Sequence, residues 1–369
     1  MNMTRYFHCL LGTALLLLSG CQSVELLSID YMLPADVSFP ATLKRVAVVN
    51  NMPDVPDNKQ IAGEEEKNKS TNEVTRLTNY YNGDAVLATE ALAEALAEKE
   101  YFEEVVICDS ALRSRDITPR ESTLTQEEAT GLIQDLNTDF LIALENVQMR
   151  SVRKVTYMPE WGAFHGTVDV KVYPTVKVYL PNRKGPMVTI NANDSIFWEE
   201  FGSGEATVRA RLIGEEEMVK QASGFAGTVP VKHLLPYWKS GNRYLFSGGS
   251  VNMRDGAVYA KEENWTEAIK LWQQTYQTKK GKTKMYAAYN TALGYEMQDS
   301  IETALEWAMK AQAVAREVCK MDAKDEKETG DVRTGNLSYY IFTSQYVEEL
   351  QKREEGMTRL NMQMERFHE

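Results

Sequence analysis

Continuous apolar runs of strand length alternate with helical patterns in the first third of the chain. The apolar runs lie at residues 44–50, 104–108 and 139–144, as in strands that are covered on both faces. Between them, residues 85–101 and 125–137 space their apolar side chains as helices do, and each begins with a capping residue, Asp84 or Thr125. A strand–helix–strand–helix–strand order predicts a sheet with a parallel core.

The next stretch changes to a period of two. From Val168 to Leu180 the even positions are apolar and most odd ones are polar, and the alternation resumes at 188–192 after a turn. This predicts a long hairpin that extends the sheet, with Pro174 marking an edge position or a bulge. Residues 51–83 are polar and longer than an ordinary connection, so we expect a mobile or functional loop there.

The last third is helical and repetitive. Small and aromatic residues recur in two copies with the same spacing, at Gly256, Tyr259, Ala268 and Trp272, and then at Ala292, Tyr295, Ala304 and Ala308. This pattern resembles the tetratricopeptide repeat, in which a small residue lets two paired helices approach closely.

Capping boxes are expected where the second helix of each pair begins, from Asn264 with Glu267 and from Asp299 with Glu302. Two repeats are fewer than the three or so that usually stand alone, so we expect a capping helix over residues 336–354. The chain after Gly356 is expected to fray.

The expected fold is therefore a two-domain α+β protein. A mixed α/β sheet domain spans residues 43–248, a short tetratricopeptide-like helical repeat domain with its capping helix spans 249–355, and a tail spans 356–369. With 369 residues, the chain is long enough for two such domains.

The N-terminus carries the pattern of a bacterial lipoprotein precursor. Arg5 precedes the apolar run Leu10–Leu18, and Leu18-Ser-Gly-Cys21 ends it, so residues 1–20 are expected to be a signal peptide and Cys21 the lipidated residue. The segment is too short for the roughly 20 residues that span a bilayer. Residues 21–42 are expected to be a tether, and Gln22 resembles the sorting pattern for the outer membrane, with the periplasmic or surface face left open.

The net charge limits which molecules can be partners, and the placement of the cysteines bears on disulfide formation. The net charge of -12 becomes one unit more negative without Arg5, and such a surface repels phosphate backbones, which excludes nucleic acid as a partner. Cys108 and Cys319 fall in different predicted domains, so free thiols are favoured over a disulfide.

A family resemblance covers roughly residues 43–246. The Val46–Val49, Val105–Ile107 and Thr138–Ile142 strands, the Ala88–Tyr101 helix, and the segment with Leu235–Trp238 and Arg243–Tyr244 resemble the curli-secretion and penicillin-binding-protein-activator type of outer-membrane lipoprotein. With its helical repeats, the chain resembles still more an uncharacterised group of bacterial outer-membrane lipoproteins. That resemblance implies a location and no activity.

Residues with catalytic or metal-binding spacing are not evident. His165, His233 and His368 are scattered, so neither a metal site nor a cofactor is expected. The acidic clusters at 199–200 and 215–217 could serve as carboxylate pairs for glycoside cleavage, but at this net charge they favour solvated faces.

Aromatic residues are the better candidates for partner binding. Tyr157, Trp161 and Phe164 flank a glycine-bearing loop between two predicted strands, and Tyr259 and Tyr295 lie in the repeats. For both groups, packing in a core is the alternative to binding. We therefore expect a lipid-anchored, non-enzymatic scaffold of the cell envelope that binds a protein partner. A component of an outer-membrane secretion assembly and an envelope glycan hydrolase remain the alternatives.

Overall fold

The computed structural model describes residues 23–53, 60–67, 74–108, 110–113, 123–319 and 334–367. The predicted signal peptide and Cys21 lie outside these ranges. The chain divides into two compact units. We call the described residues within 34–237 and 359–367 the sheet unit, and the described residues within 23–33 and 238–358 the helical unit. No helix in the described ranges is long and apolar enough to cross a membrane.

The described strands and helices, numbered in chain order, are as follows. The strands are β1 (Val24–Leu33), β2 (Arg45–Asn50), β3 (Gln60–Lys67), β4 (Val74–Asn82), β5 (Glu104–Cys108), β6 (Phe140–Met158), β7 (Ala163–Tyr179), β8 (Val188–Asn191), β9 (Asp194–Gly202) and β10 (Tyr237–Phe246). The helices are α1 (Ala85–Ala97), α2 (Gln126–Asp135), α3 (Glu205–Arg211), α4 (Glu215–Thr228), α5 (Val231–Leu234), α6 (Val251–Lys261), α7 (Trp265–Thr278), α8 (Gly281–Met297), α9 (Ile301–Val318) and α10 (Thr334–Met364).

The two longest strands, β6 and β7, run through both halves of one eight-stranded sheet. In the first half, β2 pairs in parallel with β5 and with the start of β6, which confirms the predicted parallel core. In the second half, β4 and β7 flank β6 in antiparallel register, β3 adds to β4, and β9 adds to β7. The sheet is therefore mixed, which agrees with the change from continuous apolar runs to a period of two along the sequence.

The junction between the halves explains how a proline lies inside a long strand. The β6–β7 register shifts between Leu144 and Asn146, and Pro174 pairs with Val147 just beyond this bulge. On the other edge of β7, the partner changes at the same level from β8 to β9, and the Pro174 carbonyl accepts a hydrogen bond from Ala192. Because ladder pairing is already interrupted there, the missing N–H of the proline costs little. The expected bulge is thus present, on the neighbouring strand.

The two faces of the sheet are covered unequally. One face carries the main core, to which β2, β6 and β7 contribute valines, leucines and isoleucines that pack against α1, α3 and α4. The opposite face has a smaller core, which includes Ala47, Leu141 and Tyr179 and packs against Ala129 and Ile133 of α2. The capping box at Thr125 and Glu128 that begins α2 is present as predicted. The antiparallel half has solvent-exposed side chains on this second face, among them Lys154, so we call it the open face.

Two segments expected to be irregular contain strands. Residues 51–83 were expected to be one long loop, but they contain β3 and β4, which pair with each other, and β4 joins the sheet beside β6. Residues 21–42 were expected to be a tether, but β1 pairs with β10, and Val37 and Phe39 are buried in the main core. For β1 the reason is visible in the sequence, because its buried and exposed positions alternate as in a strand that buries one face.

In the helical unit, α6 packs with α7 and α8 packs with α9. The turn that joins the two helices has the same geometry in both pairs. The N-caps of α7 and α9 are Asn264 and Ser300, and each backbone N–H donates to a tyrosine carbonyl five residues earlier, at 2.9 Å in both cases. The residue before each cap is left-handed, with φ of 59° at Glu263 and 56° at Asp299. The predicted capping role of Asp299 is therefore wrong, because Asp299 takes the turn conformation and Ser300 the cap.

Gly256 sets the spacing of the first helix pair. A Cβ atom at this position of α6 would overlap the Trp272 indole of α7, with Cδ1 only 2.9 Å away. Trp272 is fully buried. The small residue is needed because it allows this close approach, as the repeat pattern predicts.

The final helix is longer than expected. The predicted capping segment 336–354 lies within α10, where Tyr346 and Leu350 are buried in the core of the helical unit. Beyond Gly356 the helix continues to Met364 instead of fraying. In the sheet unit, the buried Gln363 amide accepts from the Ala35 N–H at 3.0 Å and donates to the Val37 carbonyl at 2.8 Å. These hydrogen bonds fix the end of α10.

Candidate functional site: an aromatic cluster at a hairpin tip

The tip of the β6–β7 hairpin is a tight turn at residues 159–162. The Trp161 N–H donates to the Met158 carbonyl at 3.1 Å, and the Gly162 N–H donates to the Pro159 carbonyl at 3.3 Å. Gly162 has a φ of 59°, a conformation that glycine adopts without a steric penalty. The turn therefore holds the Trp161 side chain at the outermost point of the hairpin, where 65% of it is exposed.

Three rings lie in contact beside this turn, two of them stacked and the third tilted against them. Phe201 of β9 lies opposite His165 of β7 in the strand register. Their rings are nearly parallel, at 5°, with centroids 4.2 Å apart, and the Trp161 ring lies 5.7 Å from Phe201. The cross-strand pairing of β7 with β9 thus creates an aromatic platform on which Trp161 rests.

Two more rings complete the cluster on the other face of the hairpin. Tyr157 and Phe164 are directly opposite each other in the β6–β7 register, with ring centroids 5.1 Å apart. Phe164 packs partly into the main core, whereas 50% of Tyr157 is exposed. We call Tyr157, Trp161, Phe164, His165 and Phe201 the tip cluster. Sequence reasoning identified the first three and missed the stacking of His165 on Phe201, although the alternation in β9 places Phe197 and Phe201 on one face.

His165 also contacts a carboxylate. Its Nε2 lies 3.0 Å from Oε2 of Glu199, which faces the same side of β9 as Phe201. The neighbouring Glu200 points to the opposite face of the strand, because successive side chains alternate. Glu199 and Glu200 therefore cannot flank one substrate bond as a carboxylate pair.

The remaining candidate polar groups have structural partners. Glu215 to Glu217 form the first turn of α4, where acidic side chains stabilise the positive helix end. His233 Nδ1 lies 2.7 Å from an oxygen of Asp36, and His368 lies outside the described ranges. In the part of the chain that the structure describes, no three His, Cys, Asp or Glu side chains are grouped so as to hold a metal ion.

The two cysteines of the described ranges lie in different units, and neither is in a disulfide bond. Cys108 is half-buried at the end of β5 in the sheet unit, and Cys319 is buried after α9 in the helical unit. Burial raises the pKa of the Cys319 thiol, which keeps it protonated and unreactive at neutral pH.

The two tyrosines proposed from the repeats lie in the helical unit at equivalent positions. Their carbonyls accept the cap N–H groups of Asn264 and Ser300. The Tyr295 ring packs partly against the core of this unit, and its hydroxyl accepts from Gln273 at 3.1 Å, whereas 37% of Tyr259 is exposed. Of the two, Tyr259 is the more accessible to a partner.

One face of α8 is already occupied by another segment of the chain. The buried Asn290 side chain accepts from the Phe246 N–H at 3.0 Å and donates to the Phe246 carbonyl at 2.7 Å. The Phe246 ring stacks on Tyr286 with centroids 4.2 Å apart. The end of β10 thus lies against α8 much as a bound peptide would, and this face is closed to an external one.

Comparison with known families agrees with the division into sheet and helices. A family described as "Domain of unknown function (DUF8603)" matches residues 43–246, which is more than half of the chain. The chain belongs to the DUF8603 family. A second description, "Domain of unknown function (DUF6340)", matches residues 254–352 within the helical unit. No curated protein and no solved structure matches the chain.

The DUF8603 region contains the whole tip cluster and also a buried polar cluster that the sequence did not reveal. At the bulge in β6, the buried Glu145 carboxylate accepts from Asn51 at 2.9 Å and from the Tyr179 hydroxyl at 2.8 Å, and Lys177 Nζ lies 3.8 Å away. Burial, followed by the charge of Glu145, raises the pKa of Tyr179 well above its ordinary value. These bonds connect the bulge in β6 with the end of β7 and with the residue that follows β2, so the cluster fixes the junction between the two halves of the DUF8603 sheet.

Proposed function

We propose that this protein is a lipid-anchored, non-enzymatic scaffold of the bacterial envelope that binds a protein partner through the tip cluster. The observation that carries the proposal is the gathering of exposed rings at the hairpin tip, with exposed fractions of 65% for Trp161, 50% for Tyr157 and 41% for Phe201. Aromatic residues dominate the energetics of protein interfaces, and large rings held rigidly lose little entropy when they are covered.

The contacts that hold the rings of the tip cluster in place support a role in binding, because these rings are not mobile surface side chains. Trp161 is fixed by the turn hydrogen bonds and by Phe201, which in turn stacks on His165. His165 is held by Glu199. Because each ring is positioned before a partner arrives, association needs little rearrangement.

The arrangement of polar groups favours a binding role over glycan hydrolysis. Retaining and inverting glycosidases both need two carboxyl groups that face the scissile bond from either side. The two glutamates nearest the tip cluster, Glu199 and Glu200, point to opposite faces of β9. A role in a secretion assembly is also less favoured, because the apolar face of β7 packs against α3 and α4 and is not available to lipid.

The anchor and the location follow from the sequence pattern around Cys21. A lipid on this thiol would hold the protein at the outer membrane, the location that the resemblance to curli-secretion and penicillin-binding-protein-activator lipoproteins also implies. Because β1 begins at Val24, only about 11 Å of extended chain would separate the lipidated residue from the helical unit. The anchor would therefore position the folded protein close to the bilayer surface.

The helical unit is proposed to be tetratricopeptide-like. The close contact at Gly256 and the identical turns at Glu263 and Asp299 support this assignment. The exposed Tyr259 is a secondary candidate for partner contact, since the α8 face is occupied by Phe246.

The test compares partner recovery by two matched tryptophan variants. Mature protein would be used to recover binding proteins from solubilised envelopes, as wild type, Trp161→Ala and Trp238→Ala. Trp238 in β10 is 68% exposed and lies in the helical unit, so it controls for the loss of an exposed indole. We expect a partner that binds the wild type and Trp238→Ala but is lost with Trp161→Ala. Equal recovery by all three proteins would refute the tip cluster as the binding site.

A further inference from the structure

The open face of the sheet carries a regular pattern of charge on β6 and β7. Arg150 and Lys171 lie directly opposite each other, Asp169 occupies the next row, and Lys154 occupies the row after that. Rows on one face of a sheet are about 6.7 Å apart along the strands. We call Arg150, Lys154, Asp169 and Lys171 the charged strip. Along the hairpin, its first row is positive (Arg150 with Lys171), its second row is negative (Asp169) and its third row is positive (Lys154).

None of these four groups is neutralised in the described part of the protein. Lys154, Asp169 and Lys171 are exposed, Arg150 is half-buried, and none has an oppositely charged group within 4.0 Å among the described residues. Lys171 contacts a neighbouring ring on its own strand, because its Nζ lies 5.5 Å from the Tyr173 ring centroid.

The opposed cations are unusual for a sheet. Like charges directly across a strand pair destabilise it, because their side chains are within about 5.5 Å at the Cβ atoms. The protein has a net charge of -12, so a surface patch with three unpaired cations differs in sign from the protein as a whole. A carboxylate placed over Arg150 and Lys171 would relieve this repulsion, and the planar guanidinium of Arg150 can bind such a group with two hydrogen bonds.

The charged strip lies on the same face as exposed aromatic side chains of β9. Phe197 is opposite Asp169 in the β7–β9 register and is 63% exposed, and Phe201 lies two rows further toward the tip. The open face therefore offers a row of ionic contacts beside a row of apolar contacts, continuous with the tip cluster. An extended polypeptide can match both, since its side chains repeat at the same spacing as the rows.

The alternation of charge favours a polypeptide over an anionic membrane or an anionic polymer. A uniformly negative surface would meet Asp169 in the middle of the strip and Glu199 beside it, and both would repel it. A polypeptide can instead place a basic side chain over Asp169 and acidic side chains over the flanking cations. Charge complementarity of this kind supplies specificity and register.

We propose that the open face binds an extended segment of the partner protein in which acidic side chains at positions i and i+4 flank a basic side chain at i+2. The acidic side chains pair with Arg150 and Lys171 at one end and with Lys154 at the other, and the basic side chain pairs with Asp169. This inference rests on the proposed function, because it assigns the chemistry of the partner that the tip cluster holds.

The experiment measures binding of two labelled nine-residue peptides by fluorescence anisotropy. The matched peptide has glutamates at positions 3 and 7 and lysine at position 5, and the exchanged peptide has lysines at 3 and 7 and glutamate at 5, with valine and threonine elsewhere. The proteins are the wild type, the double variant Arg150→Glu with Lys171→Glu, and the control Lys99→Glu, a charge reversal at an exposed site of the same unit.

We expect the wild type and Lys99→Glu to bind the matched peptide about tenfold more tightly than the exchanged one, and the difference to shrink in high salt. The double variant should lose or reverse this preference. Equal binding of the two peptides, or an unchanged preference in the double variant, would overturn the proposal. So would sedimentation of the wild type, but not the double variant, with phosphatidylglycerol vesicles, because the surface would then recognise lipid.

The two proposals can fail separately. If Trp161→Ala loses its envelope partner while the charged-strip variant keeps it, only the assignment of the partner's chemistry is wrong. If the peptide preference holds but Trp161→Ala retains all partners, the tip cluster is not the binding site and the charged strip stands alone.

Discussion

Removing the Glu296 carboxylate tests how the helical unit is held together. This side chain is 1% exposed in α8 and accepts from Arg243 of β10 through Nε at 2.9 Å and Nη2 at 3.0 Å. It also accepts from the Tyr346 hydroxyl at 2.6 Å and pairs with Arg353, both of α10. One carboxylate therefore connects three elements of the unit.

The expected loss of stability is large because Arg243, the main partner of Glu296, is buried. Burial alone would lower the pKa of the Arg243 guanidinium, but its hydrogen bonds and ion pair with Glu296 outweigh this and raise it. Without Glu296, Arg243 loses two of its hydrogen bonds to a carboxylate and keeps the ion pair with Glu349 at 2.7 Å and a hydrogen bond to the Asn242 carbonyl, while its side chain stays 3% exposed. Breaking a buried ion pair by removing one partner costs about 3–5 kcal/mol. For a unit of this size, that corresponds to a fall in Tm of roughly 6–20 °C.

The assay is thermal and urea unfolding followed by circular dichroism. We expect Glu296→Ala to lose about 3–5 kcal/mol and Glu296→Gln to lose nearly as much, because the charge rather than the volume is removed. Glu306→Ala, at an exposed position of α9, serves as the control and should stay within about 0.5 kcal/mol of wild type. A loss below about 1 kcal/mol for Glu296→Ala would show that the network does not hold the unit together.

Three further changes probe other parts of the fold. Gly256→Ala should destabilise the protein by about 1–3 kcal/mol in urea unfolding, because the new methyl overlaps Trp272. Gly131→Ala in α2 should be neutral or stabilising, because its methyl would meet no described atom within 4 Å outside its own helix backbone. Equal effects of the two variants would contradict the close packing at Gly256. Gln363→Ala should cost about 1–3 kcal/mol in the same measurement, because it leaves the Ala35 and Val37 backbone groups without this partner. No loss of stability would mean that the end of α10 is not held by these bonds. The pKa of Tyr179 is raised in the folded state, so the neutral side chain contributes to the free energy of unfolding. This contribution is complete below the ordinary tyrosine pKa of about 10 and is lost as the pH rises above it. The wild type should therefore lose stability above about pH 10 in pH-dependent melting, less steeply in Tyr179→Phe, and a flat profile would contradict the assignment.

Local patterns predicted the parallel half of the sheet well. The continuous apolar run 104–108 coincides with β5, and the capping box at Thr125 marks the start of α2. These signals are local, because a buried strand and a capped helix each carry their evidence in a few consecutive residues.

The antiparallel half was harder to predict because its signals are interrupted. The bulge at Glu145 shifts the buried positions of β6 from even to odd, so the alternation that continues to Met158 does not follow from the run before it. β3 contains three consecutive glutamates, at 64–66, which is typical of an edge strand but resembles a loop in composition.

The candidate site was predictable only where its residues are close in sequence. Tyr157, Trp161 and Phe164 lie within one hairpin, and the turn between them brings them together. Phe201 joins them through the pairing of β7 with β9, a contact between distant segments that no local pattern encodes. The charged strip likewise exists only through strand register.

Photo-crosslinking at the hairpin tip tests the central claim most directly. A benzophenone amino acid would replace Trp161 in one protein and Trp238 in another, and both would be irradiated in intact envelopes. The account predicts a discrete protein adduct from position 161 that position 238 does not give. Absence of an adduct at 161, or the same adducts at both positions, would contradict a partner-binding role for the tip cluster.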